Sequence, residues 1–209
     1  MMTEETKSTE ETKLASQYQL KKQREHILDA PDTYVGGIEI DNIKDWIFTG
    51  EKMERKSFDF IPGLYKCFDE AIVNCRDHFI RQAQKKQEGE DVILVSNIEV
   101  NIDKNNGIIT LINDGDGIDV AKHPEHNIYC PELIFANLMS STNYDKNKKK
   151  ITGGKNGFGV KLIFIYSEWG KVETIDHRRQ LKYCQEYTDN LSKINPPKIT
   201  KSGKKKPYT

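Results

Sequence analysis

The sequence has 209 residues, enough for one domain with a sizeable core and too few for two large ones. Its 32 basic residues balance 32 acidic ones, so net charge favours neither nucleic acid nor a membrane as a partner, and no run of 18 apolar residues predicts a membrane span. The start lacks the basic and apolar regions of a secretory signal, and the four cysteines form no Cys-x-x-Cys pair. Both features favour an intracellular protein with reduced thiols.

Two N-terminal segments precede the predicted main domain. Residues 1–22 are charged and poor in large apolar side chains, which predicts a disordered arm that needs a partner to become ordered. Residues 23–62 are interpreted as an N-terminal strap. Within the strap, a short helix over Arg24–Leu28 is expected to end before Ala30-Pro31, and Asp32–Gly37 predicts a turn.

Residues 63–209 are predicted to form the main domain. Apolar side chains recur at three- and four-residue steps from Gly63 to about Lys86, which indicates an amphipathic helix, and Pro131 opens a second helix. The hairpin predictions pair Val92–Ile102 with Gly107–Asn113 and Val172–Ile175 with Leu181–Tyr187, and a Pro- and Lys-rich tail is expected from Asn195. This order predicts an α+β two-layer sandwich, a mixed or antiparallel sheet with helices on one face.

A glycine-rich loop, Gly153–Lys161, leads into the apolar segment Leu162–Ile165. Glycine lets backbone N–H groups approach an anion, and a helix that begins here would direct its positive dipole end at that anion. The loop fits neither the Walker A nor the Rossmann spacing. The pattern therefore leaves open a phosphate-binding loop or an ordinary surface turn.

Glu70 and Asn74 lie four residues apart on the first long predicted helix, so both project from one face. A carboxylate there can act as a general base on water, and an amide oxygen can complete the shell of a magnesium ion held by phosphates. A solvated helix face would show the same residues. Glu70, however, is flanked by apolar residues, which favours a partly desolvated position.

Other polar clusters have similar alternatives. Asn113–Ile118 ends a strand and could accept from a purine amine, or form a simple Asp-Gly turn. Ser141, Thr142 and Asn143 could bind ribose or phosphate oxygens, or end a helix. The five histidines show no metal-site spacing and are expected at the surface or partly packed. The basic hairpin tip, His177–Arg179, and the lysine tail raise direct DNA binding as a further possibility.

Taken in order, three motifs resemble the ATP site of the GHKL (Bergerat) superfamily: Phe68–Asn74, Asn113–Ile118 and Gly153–Lys161. Within it, the sequence resembles the N-terminal ATPase region of eukaryotic-type (type IIA) DNA topoisomerase II. The segments that support this narrower resemblance are Glu25–Leu28 with Pro31–Gly36, Tyr65–Glu70 and Ser141–Asp145. The resemblance covers about residues 20–209.

The resemblance implies a role for each matching residue. Glu70 would be the base that activates water, and Asn74 would hold Mg²⁺ through its side-chain oxygen. The residues implied to bind ATP are Asn74, Asn113, Ser141, Thr142, Asn143, Gly154, Lys155, Asn156, Gly157, Phe158, Gly159, Val160, Lys161 and Tyr34. Tyr34 matches an arm residue that reaches the partner subunit's nucleotide, so the arm would become ordered in a homodimer. The whole enzyme would pass one DNA duplex through another, in the nucleus of a eukaryote.

The sequence also departs from the family pattern. His78 stands where the family usually has asparagine, and Asp116 stands where lysine or arginine is common. The family's ATPase region continues into a transducer domain, which supplies a lysine to the γ-phosphate, and then into a DNA-cleaving core. Neither is expected within these 209 residues, which predicts a fragment of a longer, split or truncated gene. The alternative function is an isolated nucleotide-binding or dimerisation module without catalysis.

Overall fold

The computed structural model describes residues 21–138, 157–203 and 205–209. The chain begins with helix α1, Gln23–Asp29, and the four-residue helix α2, Pro31–Tyr34. Helix α1 ends before Ala30-Pro31 as predicted, because proline disfavours helical geometry in the residue that precedes it. The turn predicted at Asp32–Gly37 is in part helix α2, since Pro31 provides a suitable first helical residue. Most of the predicted arm lies outside the described residues.

An antiparallel hairpin that the sequence reasoning missed follows in the predicted strap. Strand β1, Asp41–Phe48, pairs along its length with strand β2, Met53–Phe60. Gly50 in the connection has φ +100°, a conformation that favours glycine. Trp46 and Phe48 are more than half exposed. The hairpin therefore leaves apolar side chains at the surface.

Helix α3, Pro62–Gln87, is the long predicted helix. Proline suits its first turn, and Gly63 allows close packing because a Cβ atom there would lie 3.2 Å from the Gly37 carbonyl oxygen. The helix packs against strand β4, Ile108–Asn113, and against the later helix α5, Gly159–Ile165. It thus connects the two regions that carry the predicted nucleotide-binding residues.

Strand β3, Ile98–Asp103, forms the first predicted hairpin with β4. The prediction that this strand starts at Val92 was wrong. The segment before Ile98 bonds to the turn after β4 instead of to a neighbouring strand: the Ser96 and Asn97 amides donate to the Asp114 carboxylate, and the Ile93 amide donates to the Asp116 carboxylate. This segment therefore supports the turn after β4.

Helix α4, Cys130–Ala136, begins around the predicted Pro131, and the later strands form the second sheet. Strand β5, Trp169–Asp176, pairs with β6, Leu181–Thr188, as predicted. Strands β7, Lys193–Ile194, and β8, Lys198–Lys201, also pair with β6, so the predicted tail is partly strand. Its last residues, Tyr208 and Thr209, pair with the end of β4 and contact β5.

The main apolar core lies between α1, α5 and the β5–β6 hairpin. The buried members of this cluster are Ile27, Val35, Ala136, Leu162, Ile165, Val172, Tyr187 and Leu191. Ile27 and Val35 come from the predicted strap, so this segment contributes to the core, and the Tyr166 hydroxyl donates to the Ile27 carbonyl at 2.5 Å. Within the ranges described above, no helix has the length and apolar character needed to cross a membrane.

Candidate functional site

Glu70 lies where helix α3 meets the first residue of α5. Its Oε1 atom is 2.7 Å from Nζ of Lys66, one turn earlier on the same helix. A Cβ atom on Gly159 would lie 2.0 Å from Glu70 Oε2, so only glycine fits beside the carboxylate in this arrangement. The hydrogen bond to Glu70 raises the pKa of Lys66. The structure thus brings together two predicted residues, Glu70 and Gly159, and adds Lys66.

Lys66 was not among the predicted site residues. The signal was present, because Lys66 and Glu70 have the four-residue spacing of a helical ion pair. Such pairs are common on exposed helices, so spacing alone could not distinguish this one. Glu70 keeps 23% of its side-chain surface exposed, so the pair lies at the edge of the protein where water can reach it.

Asn74 lies one turn after Glu70 and is exposed. Its side-chain nitrogen donates to the Glu70 backbone carbonyl at 2.5 Å. Because the amide nitrogen is held by the helix, the amide oxygen is the atom that can face a cation. This orientation fits a hard cation such as Mg²⁺, which prefers oxygen ligands.

Part of the predicted glycine loop is described. Gly157 has φ +69°, and Phe158 precedes α5, which contains Gly159, Val160 and Lys161 in its first turn. Lys161 is buried, and burial lowers its pKa to about 8. Of the remaining predicted contacts, Ser141, Thr142, Asn143, Gly154, Lys155 and Asn156 lie outside the described residues.

Asn113 is the last residue of β4 and is 6% exposed. Its backbone N–H and carbonyl both pair with Thr209, and its side-chain nitrogen donates to the Asp114 carbonyl at 3.2 Å. The Asp114 carboxylate accepts from Ser96, Asn97 and Lys206, which together hold its pKa well below its usual range. Hydrogen bonds from the segment before β3 and from the end of the chain therefore hold the turn after β4 in place.

Tyr34 contacts the glycine loop of its own chain. Its ring centroid lies 6.3 Å from that of Phe158, and its hydroxyl lies 2.9 Å from Nδ1 of His26. The structure thus places Tyr34 next to a predicted ATP-binding residue. The prediction that it reaches a partner subunit's nucleotide remains a prediction.

The two departures from the family pattern contact each other. A ring nitrogen of His78 lies 2.9 Å from the Asp116 backbone carbonyl, and burial lowers the pKa of His78. The Asp116 side chain is buried, and it accepts from the Ile93 amide at 3.1 Å and from Arg178 at 3.2 Å. The negative charge of the buried Asp116 carboxylate is therefore balanced by Arg178 in the basic hairpin tip.

The rest of that tip is also paired with carboxylates. His177 lies 3.6 Å from Asp116, and Arg179 contacts both Asp119 and Asp176. These contacts leave less of the positive charge available for DNA than the sequence indicated.

The fold and this arrangement belong to a recognised class of nucleotide-binding domain. The profile of the Histidine kinase-, DNA gyrase B-, and HSP90-like ATPase family matches residues 61–202. The matched region contains Glu70, Asn74, Asn113 and the glycine loop. The chain belongs to this ATPase family, and the predicted GHKL fold is confirmed.

Within the family, the chain is similar to DNA topoisomerase 2 proteins. The protein from Candida albicans is 45% identical over 200 residues, covering 95% of this chain and 13% of the relative. The protein from Acanthamoeba polyphaga mimivirus is 45% identical over 215 residues, covering 100% of this chain and 16% of the relative. The chain therefore spans less than a fifth of the length of these relatives.

Solved structures give the same result. The ATPase region of Saccharomyces cerevisiae topoisomerase II matches with a TM-score of 0.85 and 40% identity, covering 93% of this chain and 49% of that one. The ATPase domain of Thermus thermophilus gyrase B matches with a TM-score of 0.56 at 18% identity, which supports the fold alone. The chain corresponds to about half of the yeast ATPase region.

Proposed function

We propose that this chain binds ATP where α3 meets α5 and that Glu70 is the general base for its hydrolysis. The observation that supports this most directly is the contact between the Glu70 carboxylate and Gly159. The proposed base thus lies beside the end of the glycine loop, where the phosphates are expected. A carboxylate beside the bound phosphates can take a proton from water as the water oxygen attacks the γ-phosphorus and ADP leaves.

Lys66 and Asn74 are proposed to support this step. The ion pair with Lys66 restricts the Glu70 side chain to one position, which reduces the orientational cost of reaction. Mg²⁺, when bound, would neutralise charge on the phosphate oxygens, and the Asn74 amide oxygen is the atom proposed to hold it. Asn113, Lys161 and the glycine loop are proposed to contact the nucleotide, together with the predicted Ser141–Asn143 cluster.

The similarity to DNA topoisomerase 2 supports a wider proposal. In a longer protein, two such modules would bind ATP, dimerise through their N-terminal arms and close as a clamp on a DNA segment. Hydrolysis would then reset the clamp, and the complete enzyme would pass one duplex through a double-strand break in another. In a eukaryotic host this activity would be nuclear, because the DNA substrate is there.

A Glu70→Gln substitution tests the assignment of the base. The variant keeps the side-chain volume but cannot accept the proton, so turnover should fall by about 10²-fold to 10⁴-fold while MgATP affinity is retained. Asp69→Asn is the matched control, because Asp69 is the adjacent carboxylate and also contacts Lys66, at 3.3 Å. Measurable turnover of the unmodified chain that is unchanged in Glu70→Gln would exclude Glu70 as the base.

A second candidate function is a nucleotide-binding or dimerisation module without catalysis. The chain corresponds to 49% of the yeast ATPase region, so binding and turnover are measured on this chain itself. Calorimetric titration with MgATP, followed by a phosphate-release assay on the same sample, separates the two functions. Binding with turnover supports the ATPase, binding without turnover supports the module, and absence of binding contradicts both.

A further inference from the structure

Three potential metal ligands converge on the loop between β4 and α4, apart from the proposed ATP-binding residues. His123, Glu125 and His126 each offer one donor atom, and these atoms all lie within 4.8 Å of one another. The two imidazole rings are stacked, with centroids 4.7 Å apart and an interplanar angle of 22°. His123 is half-buried, and the other two side chains are exposed.

The loop backbone holds these side chains together. The His123 amide donates to the Ile128 carbonyl at 2.7 Å, and the Asn127 amide donates to the His123 carbonyl at 2.9 Å. Pro124 fixes one backbone angle between the ligands, and Asn127 has φ +55°, which asparagine tolerates well. Because folding itself closes the loop, little backbone entropy remains to be lost when a ligand binds.

We propose that His123, Glu125 and His126 form a binding site for a divalent transition-metal ion, with Zn²⁺ as the ion that fits best. Two imidazoles and one carboxylate are a typical three-ligand zinc set, which leaves one coordination position for water. Imidazole donors favour zinc-class ions, whereas Mg²⁺ prefers oxygen ligands. The site is therefore chemically distinct from the proposed magnesium site at Asn74.

Metal binding needs only a small rearrangement. Bonds of about 2.0–2.2 Å from zinc to nitrogen and oxygen place tetrahedral ligand atoms roughly 3.3 Å apart. The donor atoms, already within 4.8 Å, can reach this spacing by side-chain rotation. The Glu125 amide contacts His123 Nδ1 at 3.3 Å, a long hydrogen bond, so coordination through Nε2 with the proton on Nδ1 costs only this weak contact.

The loop leads directly into α4, which connects the site to the core. The Cys130 amide at the start of α4 donates to the Ala121 carbonyl at 2.9 Å, and Lys122 forms a β-bridge with Tyr129. A metal ion would thus fix the loop from which α4 begins. Since an ion that binds the folded chain preferentially stabilises it, the thermal midpoint should rise with Zn²⁺ concentration.

Titration of the full chain with ZnCl₂, in buffer with excess Mg²⁺ and no nucleotide, tests the proposal. We expect one Zn²⁺ per chain by calorimetry, and a tetrahedral visible absorption band when Co²⁺ is used. His123→Ala and His126→Ala should each weaken Zn²⁺ binding at least about tenfold, while His177→Gln, which changes a histidine elsewhere, should not. Circular dichroism of each variant checks that it is folded.

Two results would overturn the proposal. The first is the absence of Zn²⁺ binding at micromolar concentration to the unmodified chain. The second is unchanged affinity in both His123→Ala and His126→Ala, which would assign the bound metal to other residues such as the cysteines. NMR supplies a readout that does not depend on affinity, because added Zn²⁺ should shift the ring signals of His123 and His126 and leave those of His177 in place.

Discussion

Among the glycines that the structure describes, Gly117 is the one where an added methyl group should disturb the fold most. An added Cβ would lie 1.9 Å from the carbonyl oxygen of Ile175 and 3.0 Å from Oγ1 of Thr174. An ordinary carbon–oxygen contact is about 3.3 Å, so Gly117→Ala must separate two backbone segments by roughly 1.4 Å. Neither side can yield by rotating a flexible side chain, since the nearest atom belongs to strand β5.

The loss of unfolding free energy comes from overpacking and from the hydrogen bonds that this separation would weaken. Overpacking of a core costs about 1–3 kcal/mol. The Ile118 amide donates to Thr174 at 3.0 Å, and the Val120 amide donates to the Asp176 carboxylate at 2.9 Å, so both bonds would lengthen. Adding about 1 kcal/mol for the first and about 2 kcal/mol for the charged second gives roughly 4–6 kcal/mol. For a chain of this size the thermal midpoint should fall by about 8–24 °C.

Urea denaturation followed by circular dichroism measures this cost directly. Gly107→Ala is the control, because Gly107 has φ +65° but no atom within 4 Å of an added Cβ, so it should lose only about 1 kcal/mol. MgATP affinity of Gly117→Ala should also fall, since the same turn carries Asn113. A loss of unfolding free energy no larger than that of the control would refute the packing argument.

Three further predictions concern α5 and its contacts. If bound phosphates return the Lys161 pKa from about 8 toward 10.5, nucleotide affinity should fall about tenfold from pH 7 to pH 9, because free Lys161 loses its charge there; a flat titration profile would contradict this. Gly159→Ala should displace the Glu70 carboxylate and lower turnover about 100-fold in a phosphate-release assay, and unchanged turnover would refute the contact. Tyr166→Phe removes the hydrogen bond to Ile27 and should cost about 1 kcal/mol in urea denaturation; an unchanged midpoint would show that this bond contributes nothing.

Much of the fold was predictable from local pattern. The apolar spacing of α3 and the proline near the start of α4 each act within a few residues, so sequence alone locates these helices. The β5–β6 hairpin was predictable for the same reason. The motif around Glu70 and Asn74 was also recognisable, because residue type and four-residue spacing determine which side chains share a helix face.

Most of the errors concern contacts that residue composition and spacing do not reveal. Residues 92–97 have the composition of a strand, but their amide groups are taken by Asp114 and Asp116, which follow about twenty residues later. The segment predicted as a tail contains strand β8, which pairs with β6. Such pairing depends on which distant segments the fold brings together, and local sequence does not show this. The convergence of His123 with His126 depends on backbone hydrogen bonds that close the loop, which spacing does not reveal.

The contact between His78 and Asp116 has a consequence for how this sequence can change over time. A basic residue at position 116 would face Arg178 and leave the Ile93 amide without its acceptor. Replacing Asp116 by lysine or arginine alone would therefore place two like charges together at a buried position. We expect positions 78, 116 and 178 to covary among close relatives, so that a basic residue at position 116 occurs together with changes at positions 78 and 178.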